Sequence, residues 1–138
     1  MEIKFYKCNK CGQIVQKIKD TKVPLVCCGE EMSEITPKEH EEGLSEKHIP
    51  VYKLKKNKVI TLVGSVIHPS TNDHYIEWIL LETNSGSHLK SLKPGDYPEA
   101  IFELDDGEEV VAIYAYCNIH SLWVYRPKKV RSCGCSIK

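Results

Sequence analysis

Val59-Ile60-Thr61-Leu62-Val63-Gly64-Ser65-Val66-Ile67, then His68-Pro69-Ser70-Thr71-Asn72-Asp73-His74, then Tyr75-Ile76-Glu77-Trp78-Ile79-Leu80-Leu81-Glu82 is the stretch that decides the fold. Two short runs rich in β-branched and aromatic residues flank a polar loop carrying a proline. That is the pattern of strands joined by a turn, not of a helix. The same pattern repeats outward in Pro50 to Leu54, Ser87 to Leu89, Ala100 to Leu104, Glu109 to Tyr116 and Leu122 to Tyr125. The breaks between runs include Lys56-Asn57, Lys93-Pro94-Gly95-Asp96 and Asp105-Asp106-Gly107, all turn chemistry. Seven such runs predict an all-β domain over residues 48–126, a seven-stranded antiparallel sandwich of the immunoglobulin-like kind.

Residues 1–36 read differently. Two short apolar stretches, Ile3 to Tyr6 and Ile14 to Ile18, surround four cysteines, at 8, 11, 27 and 28. A segment this small does not fold on a hydrophobic core alone, so it is expected to be a metal-stapled β module. Residues 37–47 are rich in glutamate, with Pro37 and Gly43, and read as a solvated linker with one helical turn around Lys38 to Glu42. Residues 127–138 form a basic tail with Lys128, Lys129, Arg131, Cys133 and Cys135.

The chain has 138 residues, 41% of them hydrophobic, with 19 basic and 19 acidic side chains. This balance disfavours a general nucleic-acid binder. No apolar run approaches the roughly 20 residues that cross a bilayer, and the N-terminus is too polar for a signal peptide, so a soluble, cytoplasmic protein is expected. Seven cysteines, an odd number, cannot all pair within one chain, and in a reducing compartment thiols stay free or bind metal.

Cys8-x2-Cys11 followed by the adjacent Cys27-Cys28 offers four thiolates, a set that suits iron or zinc in tetrahedral array. Gly12 removes the Cβ penalty where the chain must curl after the first pair. Adjacent cysteines rarely bond to each other. A second set lies in the β domain. His48, His68, His74 and His120 stand at or beside the ends of the runs, and Cys117 stands three residues before His120. Singly, a turn histidine is ordinarily solvated and Cys117 is a buried small hydrophobe. Together, four imidazoles and one thiolate suit ferrous iron and exceed what a four-coordinate structural zinc uses. His40, among glutamates, and His88, in a short polar strand, are left out.

The spacing Cys-x2-Cys-x15-Cys-Cys resembles the desulforedoxin domain, a small iron-tetrathiolate fold. Glu46-Lys47-His48-Ile49-Pro50, His68-Pro69, His74-Tyr75-Ile76-Glu77-Trp78, Leu92-Lys93-Pro94-Gly95 and Cys117-Asn118-Ile119-His120 occur in that order. Joined to the N-terminal module, they resemble the desulfoferrodoxins, the two-iron class of superoxide reductases, over about residues 5–126. The resemblance implies a catalytic iron with equatorial His48, His68, His74 and His120, axial Cys117 and an open sixth position. It also implies an accessory iron on Cys8, Cys11, Cys27 and Cys28, with zinc the alternative metal there. The implied activity is reduction of superoxide to hydrogen peroxide without release of dioxygen, supplied by a rubredoxin-type donor, in a homodimer. An axial thiolate pushes electron density to the iron and favours donation to the substrate. Backbone groups of Ile119 and His120 are expected to tune the sulfur. Lys47, immediately before His48, is expected to attract the anion and order a water that protonates the bound peroxide, and the resemblance implies that Glu46 is the carboxylate that fills the sixth position in the ferric state.

Two other functional readings compete with this one: a carrier in which both metals only pass electrons, and a zinc-stapled binding module. The tail continues past the point where the resemblance ends. Cys133 and Cys135 read there either as part of a flexible basic extension, or as a redox-responsive pair or a bridge between subunits. Without that tail the chain is net acidic by four, so attraction of an anion must be local.

Overall fold

The structure is a computed structural model and describes residues 3–127. The tail residues Lys128, Lys129, Arg131, Cys133 and Cys135 lie outside the described residues. The chain divides into two compact units, Met1–Thr36 and Pro37–Lys138.

In the first unit, β1 (Lys4–Lys7) is the centre of a three-stranded antiparallel sheet between β2 (Ile14–Lys17) and β5 (Ser33–Ile35). A second, two-stranded ribbon pairs β3 (Val26–Cys27) with β4 (Glu30–Glu31). Phe5, Cys8 and Met32 are the buried hydrophobic side chains described in this unit. So small a core does not offset the chain entropy lost on ordering, and a cross-link through the four cysteines supplies what is missing.

The second unit begins with the short helix α1 (Ser45–His48). It continues through β6 (Pro50–Lys55), β7 (Lys58–Val63), β8 (Ile76–Thr83), β9 (Ser87–Ser91), β10 (Glu99–Glu103), β11 (Val110–Cys117) and β12 (Ser121–Tyr125). The strands form two antiparallel sheets, ordered β10-β7-β6 and β12-β11-β8-β9. β9 extends the larger sheet beside β8, where the constant-type immunoglobulin arrangement has its fourth strand on the other sheet. Along β7 burial alternates, so Val59, Thr61 and Val63 face inward. Together with Ala100 and Phe102 of β10 they meet Ile79 and Leu81 of β8 and Ile113, Ala115 and Cys117 of β11 to make the core.

All seven expected strands are present. The helical turn, however, falls at Ser45–His48 and not at Lys38 to Glu42. The second run also stops short: β7 ends at Val63, and residues 64–67 turn. A Cβ at Gly64 would come within 2.6 Å of the Glu46 carbonyl oxygen and 2.8 Å of that of Ile49. The backbone of α1 therefore occupies the space that a continued strand would need. Val66 donates its N–H to the Glu46 carbonyl at 2.9 Å, and the Ser65 hydroxyl donates to the same oxygen at 3.2 Å.

Candidate metal centres

The first centre is built by two tight turns. Between β1 and β2, Cys8 accepts the N–H of Gly12 on its carbonyl at 3.0 Å, and Gly12 takes a φ of 83°. This brings Cys11 back toward Cys8, whose Sγ accepts the Cys11 N–H at 3.4 Å. In the β3–β4 ribbon, Cys28 and Gly29 both adopt positive φ, 54° and 77°. The sulfur of Cys27 lies 3.6 Å from that of Cys11 and 3.9 Å from that of Cys28. Four sulfurs at tetrahedral corners with metal bonds of about 2.3 Å stand about 3.8 Å apart, which fits, whereas a disulfide needs about 2.05 Å. All four cysteines are free thiols.

The backbone N–H groups of Cys11 and Lys10 pull the Cys8 thiol down to about 6. Hydrogen bonding with Cys8 and Cys11 pushes Cys27 up to about 12, and the same two neighbours raise Cys28. Clustered thiolates oppose one another's ionisation, and a bound cation removes that opposition.

The second centre gathers side chains from four separate places in the sandwich unit. α1 ends on His48, the turn after β7 leads to His68, the following loop carries His74, and β11 delivers Cys117 just before the turn that holds His120. A register shift between Tyr116 and Cys117 against β8 marks the point where the strand aims the thiol. Adjacent ring centroids are 4.7 Å apart for His48 and His68, 4.6 Å for His68 and His74, 5.2 Å for His74 and His120, and 4.7 Å for His120 and His48. His48 and His74 are farther apart, at 6.2 Å. The four rings thus form a square with His48 and His74 on a diagonal. Neighbouring rings stand 62° to 81° to each other.

Hydrogen bonds fix which nitrogen of two of the rings, His48 and His68, faces the centre. His48 donates from Nδ1 to the Leu44 carbonyl at 2.8 Å, and His68 from Nδ1 to the Pro69 carbonyl at 2.7 Å. Carbonyls only accept, so both Nδ1 atoms carry the proton and both Nε2 atoms present lone pairs. Those Nε2 atoms lie 3.2 Å apart, and His48 Nε2 is 3.1 Å from His120 Nδ1. Two donors at right angles on one ion, with bonds of about 2.1 Å, stand about 3.0 Å apart. The Nε2 of His74 is buried with no hydrogen-bond partner. Cys117 Sγ lies 3.8 Å from His120 Nδ1 and accepts the His120 N–H at 3.4 Å.

Burial is the main cause that lowers the pKa of His48, His68 and His74, with His68 pushed down to about 4. All three are therefore neutral near pH 7 and free to ligate. Burial raises the Cys117 thiol, while the N–H groups of His120 and Ile119 pull the other way. A metal would displace its proton.

Ligand atoms of His48, His74, Cys117 and His120 all lie within 4.8 Å of one another; His68 joins the set through His48 and His74. Glu46 and Lys47 sit on α1 immediately before His48, and both are exposed. The charge of Lys47 reaches His74 and helps lower its pKa.

Three residues that the sequence reading passed over also shape the centre. Asn118 accepts the Tyr75 N–H on Oδ1 at 2.9 Å and donates from Nδ2 to the Asp73 carbonyl at 3.0 Å, gripping the chain on both sides of His74. Trp123 stacks on His48 at 4.8 Å and donates from Nε1 to the His120 carbonyl at 3.0 Å. Lys38 lies over the Trp123 ring. A polar residue between two ligands, and a tryptophan three residues after one, are the signals that point to the first two.

The family model described as desulfoferrodoxin matches residues 40–126, and that described as desulfoferrodoxin, N-terminal domain matches residues 1–35. A desulfoferrodoxin homolog from Archaeoglobus fulgidus is 47% identical over 118 residues, covering 86% of this chain and 92% of the relative. The desulfoferrodoxin of Nitratidesulfovibrio vulgaris is 43% identical over 122 residues, covering 88% and 94%. The crystal structure of the superoxide reductase from Treponema pallidum superposes with a TM-score of 0.76 at 31% identity, covering 91% of this chain and 98% of that one.

Proposed function

The chain belongs to the desulfoferrodoxin family, and from that premise we propose that His48, His68, His74, His120 and Cys117 hold its catalytic iron while Glu46 and Lys47 serve the substrate. The protein is a superoxide reductase. A ferrous iron held there would supply the one electron that, with two protons from the medium, converts superoxide to hydrogen peroxide, so that no dioxygen is formed. The observation that carries the ligand assignment is the square of four imidazoles around lone pairs that face one another, with Cys117 Sγ beside them.

The chain's own residues then do four things. His48, His68, His74, His120 and Cys117 would hold the iron and leave it accessible to a small anion. The Cys117 thiolate, steadied by the His120 N–H, donates charge into the centre. The ammonium of Lys47 supplies local positive potential in a chain that is net acidic by four outside its tail, drawing the anion in and holding a water that delivers a proton. The Glu46 carboxylate would close the centre to other ligands between turnovers. Its main chain is fixed for this by Ser65 and Val66, while its side chain remains exposed.

In domain terms, residues 1–36 are the accessory iron module, 37–47 the linker and active-site segment, 48–126 the catalytic sandwich and 127–138 the tail. The reducing equivalents come from an external one-electron donor of the rubredoxin type, and the active form is a homodimer. The first unit leaves Ile18, Val23 and Val26 about two-thirds exposed or more, apolar area that a second copy would cover. No helix among the described residues is long and apolar enough to cross a membrane.

Metal analysis of protein purified without oxygen tests the assignment. Two irons per chain are expected, falling to one in a His48→Ala, His74→Ala double variant that retains the colour of the thiolate centre. Zinc alone in the parent protein would reject it.

A further inference from the structure

We propose that Lys38 and Trp123 are a positioning pair that holds His48 and His120 in place and biases the second centre toward its reduced state. This rests on the reading that the centre holds iron.

The pair is set by the backbone. Lys38 donates its N–H to the Leu122 carbonyl at 2.9 Å, and its own carbonyl accepts the Val124 N–H at 2.9 Å. These two bonds bracket Trp123, with which Lys38 forms an isolated parallel bridge. They carry the Lys38 ammonium to 5.2 Å from the centroid of the Trp123 ring, within cation–π range.

The indole is fully buried and touches two members of the histidine set. Its ring lies over that of His48 at an interplanar angle of 25°, and its Nε1 holds the backbone of His120. A side chain tied in this way cannot rotate without disturbing a ligand ring and a ligand peptide together. The ammonium is held against a π face, where it does not compete for the nitrogens that face the centre.

The charge reaches the site. Lys38 stands one ring away from His48, since its ammonium lies 5.2 Å from the centroid of the Trp123 ring and that ring stacks on His48 at 4.8 Å. The charge is partly offset by Glu41, whose carboxylate lies 3.0 Å from the ammonium, both groups being partly exposed. A fixed positive charge stabilises whichever oxidation state carries less positive charge, here ferrous over ferric. Lys38 thus favours reloading of the centre by the donor, and Glu41 moderates how strongly.

The test is a redox titration of the iron-loaded full chain, following the ferric-thiolate absorption of the second centre, together with its iron affinity. Lys38→Met should lower the midpoint potential, so that the ferrous-to-ferric ratio at a fixed potential falls several-fold, where tenfold corresponds to 59 mV for one electron. Lys38→Arg should restore it, and Glu41→Gln should shift it upward. Trp123→Phe, which loses the Nε1 donor, should bind iron several-fold more weakly. A purely structural role would lower melting temperature in the Lys38 and Glu41 variants without opposite shifts in potential. If iron is bound and both variants keep the parent's potential, the proposal is overturned. If the parent takes no iron at this centre, the iron reading falls and the proposal with it. Should Lys38→Met fail to fold, the Glu41→Gln shift decides alone.

Discussion

The Nε2 atoms of His48 and His68 stand 3.2 Å apart with a lone pair on each, because both Nδ1 protons are committed to carbonyl oxygens. Nothing in an apo site relieves that opposition except a proton or a cation. Burial resists the proton, holding His68 down to about 4. Between the ordinary histidine value of 6.5 and about 4 the unfolded chain binds more protons than the folded one, so stability falls as the pH drops through that window. Metal-free protein should therefore lose roughly 3 kcal/mol from His68 alone on going from pH 7 to pH 4. Thermal melts of the apo protein across that range check this. A flat profile would contradict the burial of neutral imidazoles.

Asn118 holds the chain on both sides of His74. Asn118→Ala should weaken iron binding at the second centre by about 10- to 100-fold, as loss of such outer hydrogen bonds generally does. Competition with a chelator, read at the two iron absorptions separately, measures this, and the thiolate centre should be unaffected.

Gly64 has no room for a side chain. Beyond the carbonyl oxygens of Glu46 and Ile49, a Cβ there would lie 3.2 Å from the Lys47 carbonyl carbon, and all three neighbours are backbone. Gly64→Ala should cost about 1–3 kcal/mol by overpacking and displace α1. Its reaction with superoxide should slow even in the folded fraction. Denaturant unfolding and stopped-flow kinetics on the same preparation separate the two effects.

Lys47 is exposed, and its charge is felt at His74. Lys47→Ala should react with superoxide about 10-fold more slowly at low salt and lose most of its dependence on ionic strength. Lys47→Arg should keep both. Glu46→Ala should leave the first reductive step intact and change the ferric spectrum. Equal second-order rates for parent and Lys47→Ala at low salt would remove the steering role.

Much of this is legible in the sequence. The runs that became β6 to β12 are short, β-branched and separated by turn residues. Ligand chemistry is restricted to few residue types, so His48, His68, His74, Cys117, His120 and the four N-terminal cysteines stand out by spacing. What escaped the sequence depends on pairing between distant segments. Lys38 looks like one cation among glutamates until its backbone is laid beside Trp123. Gly64 looks like an interruption of a strand until α1 is packed against it. The run Val59 to Ile67 is longer than its strand because Val66 and Ile67, though apolar, are exposed, at 42% and 39%, in the turn that supports Glu46.

The most direct test is rapid mixing of the fully reduced protein with a known amount of superoxide, following oxidation of the second iron and measuring both possible products. The account predicts one hydrogen peroxide formed and one iron oxidised for each superoxide consumed, with no dioxygen. Half a dioxygen per superoxide, with the iron returned to its starting state, would be dismutation and would contradict it.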